Sequence, residues 1–157
     1  MELTNVPSPV LAKRCEPLDA ADLKSHAQDA LIAEMKNVMV ANNGIGLAAN
    51  QLGQDLQLFV IDEKLAAENE VPSVYANPEI TEYGRETDTL EEGCLSIPGY
   101  WTPIRRAKKI MFKGLDEAGN RVKFRARGML ARVLQHETDH LNGLTIRDRS
   151  KKKTPRS

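Results

Sequence analysis

A chain of 157 residues has the length of one domain and leaves no room for a second independent core. Hydrophobic residues make up 41% and charged residues 28%, and 22 basic side chains balance 22 acidic ones, so no global charge points to DNA or another polyanion. The aromatic share of 4% argues against a stacking surface for bases, and no apolar run is long enough to span a bilayer.

Residues 1–18 read as an irregular lead-in, since Pro7, Pro9 and Pro17 interrupt any helix. Glu2, Lys13 and Arg14 stand where a secretory signal would need an apolar stretch, so a cytoplasmic protein with Cys15 and Cys94 as free thiols is expected. Asp19 or Asp22 caps a helix running to about Val40, with Leu23, Ala27, Ala30, Leu31, Met35, Val38 and Met39 as its apolar stripe. Asn42-Asn43-Gly44 ends it. Strands follow over 56–61, 75–80, 110–114 and 122–124, with an exposed loop or short helix over 63–71. Asp116 to Asn120 turns the last hairpin. A final helix covers about Gly128 to Asn142 and stops at Gly143, and 150–157 form a basic disordered tail behind a single domain over 1–149. Helix, strands, then helix predicts an α+β domain of mixed, mainly antiparallel sheets rather than a doubly wound one.

The sharpest chemical signal is His136-Glu137-Thr138-Asp139-His140. Residues four apart on a helix lie one turn above each other, so two imidazoles so placed can chelate one metal ion. Glu137, beside them, can reach a water at that ion without ligating it. Met129 and Val133 lie on the same face, and an apolar face broken by His, Glu and His needs polar partners or a metal. His26, alone on the first helix, reads as a surface residue.

A catalytic metal site needs a third protein ligand and one open position. After His140 the chain offers no His, Cys or Glu and only Asp148 as a carboxylate. Upstream stands Cys94, within Glu91-Glu92-Gly93-Cys94-Leu95-Ser96. Taken alone it reads equally as a small buried apolar residue; the histidine pair makes it the preferred ligand. In Gly44-Ile45-Gly46-Leu47-Ala48-Ala49-Asn50-Gln51 the small residues permit close backbone approach, and the Gln51 carboxamide can steady an oxyanion.

Together these segments resemble the three signature motifs of the peptide deformylases, here GIGLAANQ (44–51), EGCLS (92–96) and QHETDH (135–140), in the same order and spacing. The likeness runs from Pro9-Val10-Leu11 to Leu141-Asn142-Gly143. It implies the family's packing of sheets around a central C-terminal helix that carries HExxH. It implies Cys94, His136 and His140 as ligands of one divalent metal, natively Fe(II), with Zn(II), Ni(II) or Co(II) able to replace it. Glu137 would be general base and acid, with Gln51 and the Leu95 amide as the oxyanion site. The backbone of Ile45 and Gly46 would align the substrate, and Leu90, Met129 and Val133 would line its methionine pocket. Glu92 and Arg106 would form a supporting ion pair. The substrates would be N-formyl-methionyl nascent peptides, met by a monomer in transient contact with the ribosome.

This chain departs from the family in two ways. Gly99-Tyr100-Trp101-Thr102-Pro103-Ile104-Arg105-Arg106 is bulkier than usual where later substrate residues pass. About 14 residues follow Gly143, where many bacterial members carry a long ribosome-touching helix; here the basic tail would contact RNA weakly. A zinc endopeptidase built on HExxH and a non-catalytic ribosome-associated homologue are the rival readings.

Overall fold

The computed structural model describes residues 1–151. The lead-in stays irregular apart from a 3-10 turn at Pro9–Leu11, but it is tethered: the Cys15 amide donates to the Leu141 carbonyl at 2.8 Å, and Leu11 and Cys15 are buried. The expected first helix is two. Asp19 caps α1 (Ala20–Lys24), accepting from the Ala21 amide, and α2 (Asp29–Ala41) follows after a break at His26, whose φ is 66°. The buried stripe of α2 is Ile32, Met35 and Met39, whereas Ala27 and Ala30 face solvent. Spacing cannot register a left-handed residue, which rotates everything after it onto a different face.

From α2 the chain enters β1 (Gly46–Ala48), a 3-10 turn (Ala49–Leu52) and β2 (Leu58–Ile61). A short helix, α3 (Glu63–Glu68), leads to β3 (Val74–Tyr83), β4 (Thr87–Cys94), β5 (Ile97–Ala107), β6 (Lys109–Leu115) and β7 (Arg121–Arg127). The β6–β7 hairpin turns where the sequence places it, with the Asp116 carboxylate accepting from the amides of Ala118 and Asn120 and Gly119 at φ 84°. The seven strands pair antiparallel, in a five-stranded sheet ordered β1-β2-β3-β6-β7 and a two-stranded ribbon β4-β5, and one isolated parallel bridge joins Glu16 to Leu56.

Helix α4 (Gly128–Leu141) closes the fold as predicted, with Gly143 at φ 81° beyond it. Its Leu130, Ala131, Val133, Leu134 and Leu141 join Phe59, Tyr75 and Phe112 of the sheet in the main core. The domain is therefore α+β, with mainly antiparallel sheets against a buried C-terminal helix. A last helix, α5 (Ile146–Lys151), occupies a stretch the sequence leaves unassigned and takes in Ser150 and Lys151, the first two residues of the predicted tail. Residues 152–157 of that tail lie outside the described residues.

Candidate metal centre and active-site cleft

Helix α4 delivers both imidazoles to one place. The His136 and His140 rings stand one turn apart, centroids 5.0 Å from each other. The β4–β5 ribbon delivers the sulfur. Its register shifts between Gly93 and Cys94, so that Cys94 pairs with Ile97 across a tight turn. Such an irregularity re-aims a side chain out of the ladder. Cys94 Sγ lies 3.3 Å from His140 Nε2, and a ligating atom from each of Cys94, His136 and His140 falls within 4.8 Å of the others. Cys15 is buried elsewhere, in the main core, and both thiols are free.

Buried charges hold the ligands from behind. His136 Nδ1 is 2.9 Å from Glu92 Oε1, leaving Nε2 for the site. The expected Glu92–Arg106 pair is present and two-pronged, at 2.7 and 2.9 Å. Sequence reasoning missed Arg132, which donates to the same Glu92 oxygen as Arg106 Nε, and Asp139, which accepts from Arg106 at 2.9 Å. A signal for Arg132 existed: it precedes His136 by four residues, on the face that carries both histidines. Burial works against ionisation of Glu92, but His136 and Arg106 overcome it and hold the carboxyl well below its usual range. Burial also opposes the Cys94 thiolate, yet the two imidazoles bring its pKa down to about 5. Burial disfavours the His136 imidazolium; Cys94 and Glu92 outweigh that and raise it to about 10.

The remaining predicted residues converge on the same spot. Gln51 Oε1 accepts from the Ala48 amide at 2.9 Å, which turns its Nε2 toward Ser96 Oγ at 3.1 Å and Cys94 Sγ at 3.7 Å. Leu95 follows Cys94 and packs its side chain near Gly44. Glu137 is 2% exposed, with Oε2 4.0 Å from His136 Nε2 and Oε1 without a hydrogen-bond partner among the described residues. Burial pushes its carboxyl up despite both imidazoles. Gly46 makes room for it: a Cβ there would stand 2.6 Å from Glu137 Oε2.

A cleft of about 860 Å³ opens over these groups, and Ile45, Gly46, Leu90, Met129 and Val133 all line it. Val133 is buried, while Met129 is half exposed rather than sealed in the core. Trp101 belongs to the bulky 99–106 stretch that the sequence sets where later substrate residues would pass. It lines the same cleft, 66% exposed, with its ring over Gly93, where a Cβ would come within 2.7 Å.

One thiolate and two imidazoles, close together and braced, fit a tetrahedral or five-coordinate divalent ion with a position to spare. The polypeptide deformylase family model matches residues 1–156. The peptide deformylase of Dictyoglomus thermophilum is 42% identical over 154 residues, covering 98% of this chain and 94% of that protein. The crystal structure of the Thermotoga maritima peptide deformylase superposes with a TM-score of 0.84 at 38% identity, covering 94% of this chain and 95% of that one. A class I type b peptide deformylase from Acinetobacter baumannii, solved with Met-Ala-Ser bound, gives 0.85 at 30% identity over 95% of this chain and 97% of that one. This chain belongs to the peptide deformylase family.

Proposed function

We propose that this enzyme removes the N-formyl group from the N-terminal methionine of new polypeptides and releases formate, working as one catalytic domain over residues 1–149. The observation that carries the reading is the convergence of Cys94 Sγ with the His136 and His140 rings beside buried Glu137, at the floor of an apolar cleft. The three ligand side chains would hold one divalent cation. Fe(II) is our choice for the native ion, with Zn(II), Ni(II) or Co(II) able to substitute, since thiolate and imidazole suit several first-row metals. When bound, such a cation supplies Lewis acidity, bringing the pKa of a water from 15.7 down to about 7 and polarising a carbonyl oxygen.

The chain's own groups do the rest. Leu90, Met129 and Val133 receive the methionine side chain. β1 pairs with β2 on one side only and borders the cleft, which supports alignment of the peptide along the Ile45–Gly46 backbone as an added strand. Gln51 Nε2 and the Leu95 amide donate to the formyl oxygen as it gains charge. Glu137 takes the proton from the attacking water and passes it to the departing amine nitrogen. The A. baumannii relative with Met-Ala-Ser bound agrees with a peptide beginning in methionine.

A cytoplasmic monomer touching the ribosome transiently through Lys151, Lys152 and Lys153 completes the proposal; no helix among the described residues is long and apolar enough to cross a membrane. The test is formate release by anaerobically purified protein from a formyl-methionyl peptide, beside an N-blocked peptide with an internal bond. The reading expects formate from the first and no cleavage of the second. Glu137→Ala should keep its metal and lose at least about a hundredfold in turnover. Cleavage of the internal bond would instead identify an endopeptidase, and ribosome binding without formate release a non-catalytic homologue.

A further inference from the structure

Six charged side chains form an unbroken series behind the metal centre, acid and base alternating: Asp88, Arg132, Glu92, Arg106, Asp139 and Arg149. Arg132 reaches Asp88 at 2.8 Å and Glu92 at Oε2. Arg106 grips Glu92 with two nitrogens and Asp139 with a third at 2.9 Å. Arg149, on α5, closes the series with two bonds to Asp139, at 2.9 and 2.7 Å. Its side chain is 38% exposed, while those of Arg106, Glu92 and Asp139 are 10% or less. Three acids meet three arginines, so the group is neutral as a whole.

We propose that Arg149 is a positioning residue for His136, acting through Asp139, Arg106 and Glu92; this rests on the metal-centre reading above. Asp139 has two cationic partners, and Arg106 has two carboxylates to serve. Without Arg149, Arg106 is the one cation still paired with Asp139 among the described residues while it also serves Glu92 beside Arg132, and a buried carboxylate left short of partners is costly. Asp139 then competes with Glu92 for the guanidinium. Glu92 is the group that holds His136 Nδ1, so its loosening frees the imidazole to turn away from the ion. Arg132, itself anchored on Asp88 and the Ile104 carbonyl, still donates directly to Glu92, which makes the effect partial. Direct partners of ligating histidines are worth about 10–100-fold in metal affinity, and Arg149 stands three ion pairs further back, which sets its effect at about three- to tenfold.

The experiment measures the rate at which zinc-loaded protein surrenders its ion to a chelator, with the melting temperature recorded beside it. Arg149→Ala should speed zinc loss about three- to tenfold, and Arg149→Lys, which keeps the charge but not the two-pronged grip, should fall between it and the parent. Arg147→Ala is the control: Arg147 lies on the same helix and stacks over Tyr100 at 5.4 Å, whereas the side-chain bonds to Asp139 come from Arg106 and Arg149. It should stay within about twofold of the parent even where it loosens α5. Should the alanine variant fold poorly, the lysine variant carries the comparison. Zinc loss unchanged in both Arg149 variants, or equally fast in Arg147→Ala, overturns the inference. A parent that holds no zinc overturns the metal-centre reading itself.

Discussion

Gly46→Ala adds one methyl group where the structure has no space for it. The backbone at Gly46 lies outside the left-handed region, so alanine is conformationally acceptable there and the whole effect is one of contact. Its Cβ would stand 2.6 Å from Glu137 Oε2 and 3.0 Å from both Cδ and Cγ. Against an optimum of about 3.5 Å, the methyl intrudes by roughly 0.9 Å on the carboxylate oxygen. Neither side yields easily: Glu137 is fixed on buried α4, and Gly46 is held in register with Ile61. Overpacking of this kind costs about 1–3 kcal/mol in stability. The functional cost is larger, because a shift of about 1 Å in a reacting group lowers turnover about a hundredfold. The three atoms nearest the methyl all belong to Glu137 and none to Cys94, His136 or His140, so metal content should match the parent. The assay is formate release from a formyl-methionyl peptide at fixed metal loading. Turnover within a few-fold of the parent would refute the reasoning, since Glu137 would then not need the place it occupies.

Gln51→Leu should retain metal but lose about a hundredfold or more in turnover, because one oxyanion donor is worth about 2.7–4 kcal/mol; unchanged kcat would remove Gln51 from the mechanism. In metal-free protein at pH 7, an alkylating reagent should modify Cys94 alone, its pKa being about 5, while Cys15, pushed up to about 11 chiefly by burial, stays silent; two modified thiols in folded protein would contradict this. The His136 and Cys94 pair also sets a pH window for the metal-free fold. His136 is raised, so its contribution is lost as pH climbs toward 10; Cys94 is depressed, so its contribution is lost as pH falls toward 5. Unfolded references of about 6.5 and 8.5 then place the plateau of the pair between those values, with stability falling on either side. Glu92 and Asp139, both held below their ordinary values, steepen the loss in acid below about pH 4.5. A melting temperature still rising between pH 9 and 10 would be inconsistent with this assignment.

The candidate metal centre was legible because its strongest part is local. His136 and His140 are four residues apart on a helix bounded by Gly128 and Gly143, and period alone puts them together. Cys94 was nameable as a rare residue type, but the ribbon that carries it was not drawn. Thr87 to Glu91 are exposed on both faces, and Pro98 and Pro103 interrupt β5, so no alternation betrays a two-stranded ribbon packed on its surroundings rather than folded into a sheet. The break at His26 escaped for a different reason. An amphipathic stripe can be fitted across it from alanines that turn out to be solvent-facing, and only the packing of Ile32 selects the true face. Arg149 had no local signal at all. Its partner is Asp139, ten residues away across the turn after α4, and the pairing exists only because α5 packs back against β4 and β5.

The account depends most directly on one sulfur and two ring nitrogens sharing an ion. X-ray absorption at the zinc edge, on protein loaded with one equivalent, measures that ligand shell without reference to activity. The account predicts one sulfur at about 2.3 Å and nitrogens at about 2.0–2.1 Å, with the sulfur lost in Cys94→Ser. A shell of oxygen and nitrogen alone in the parent, or sulfur that persists in the Cys94 variant, would contradict it.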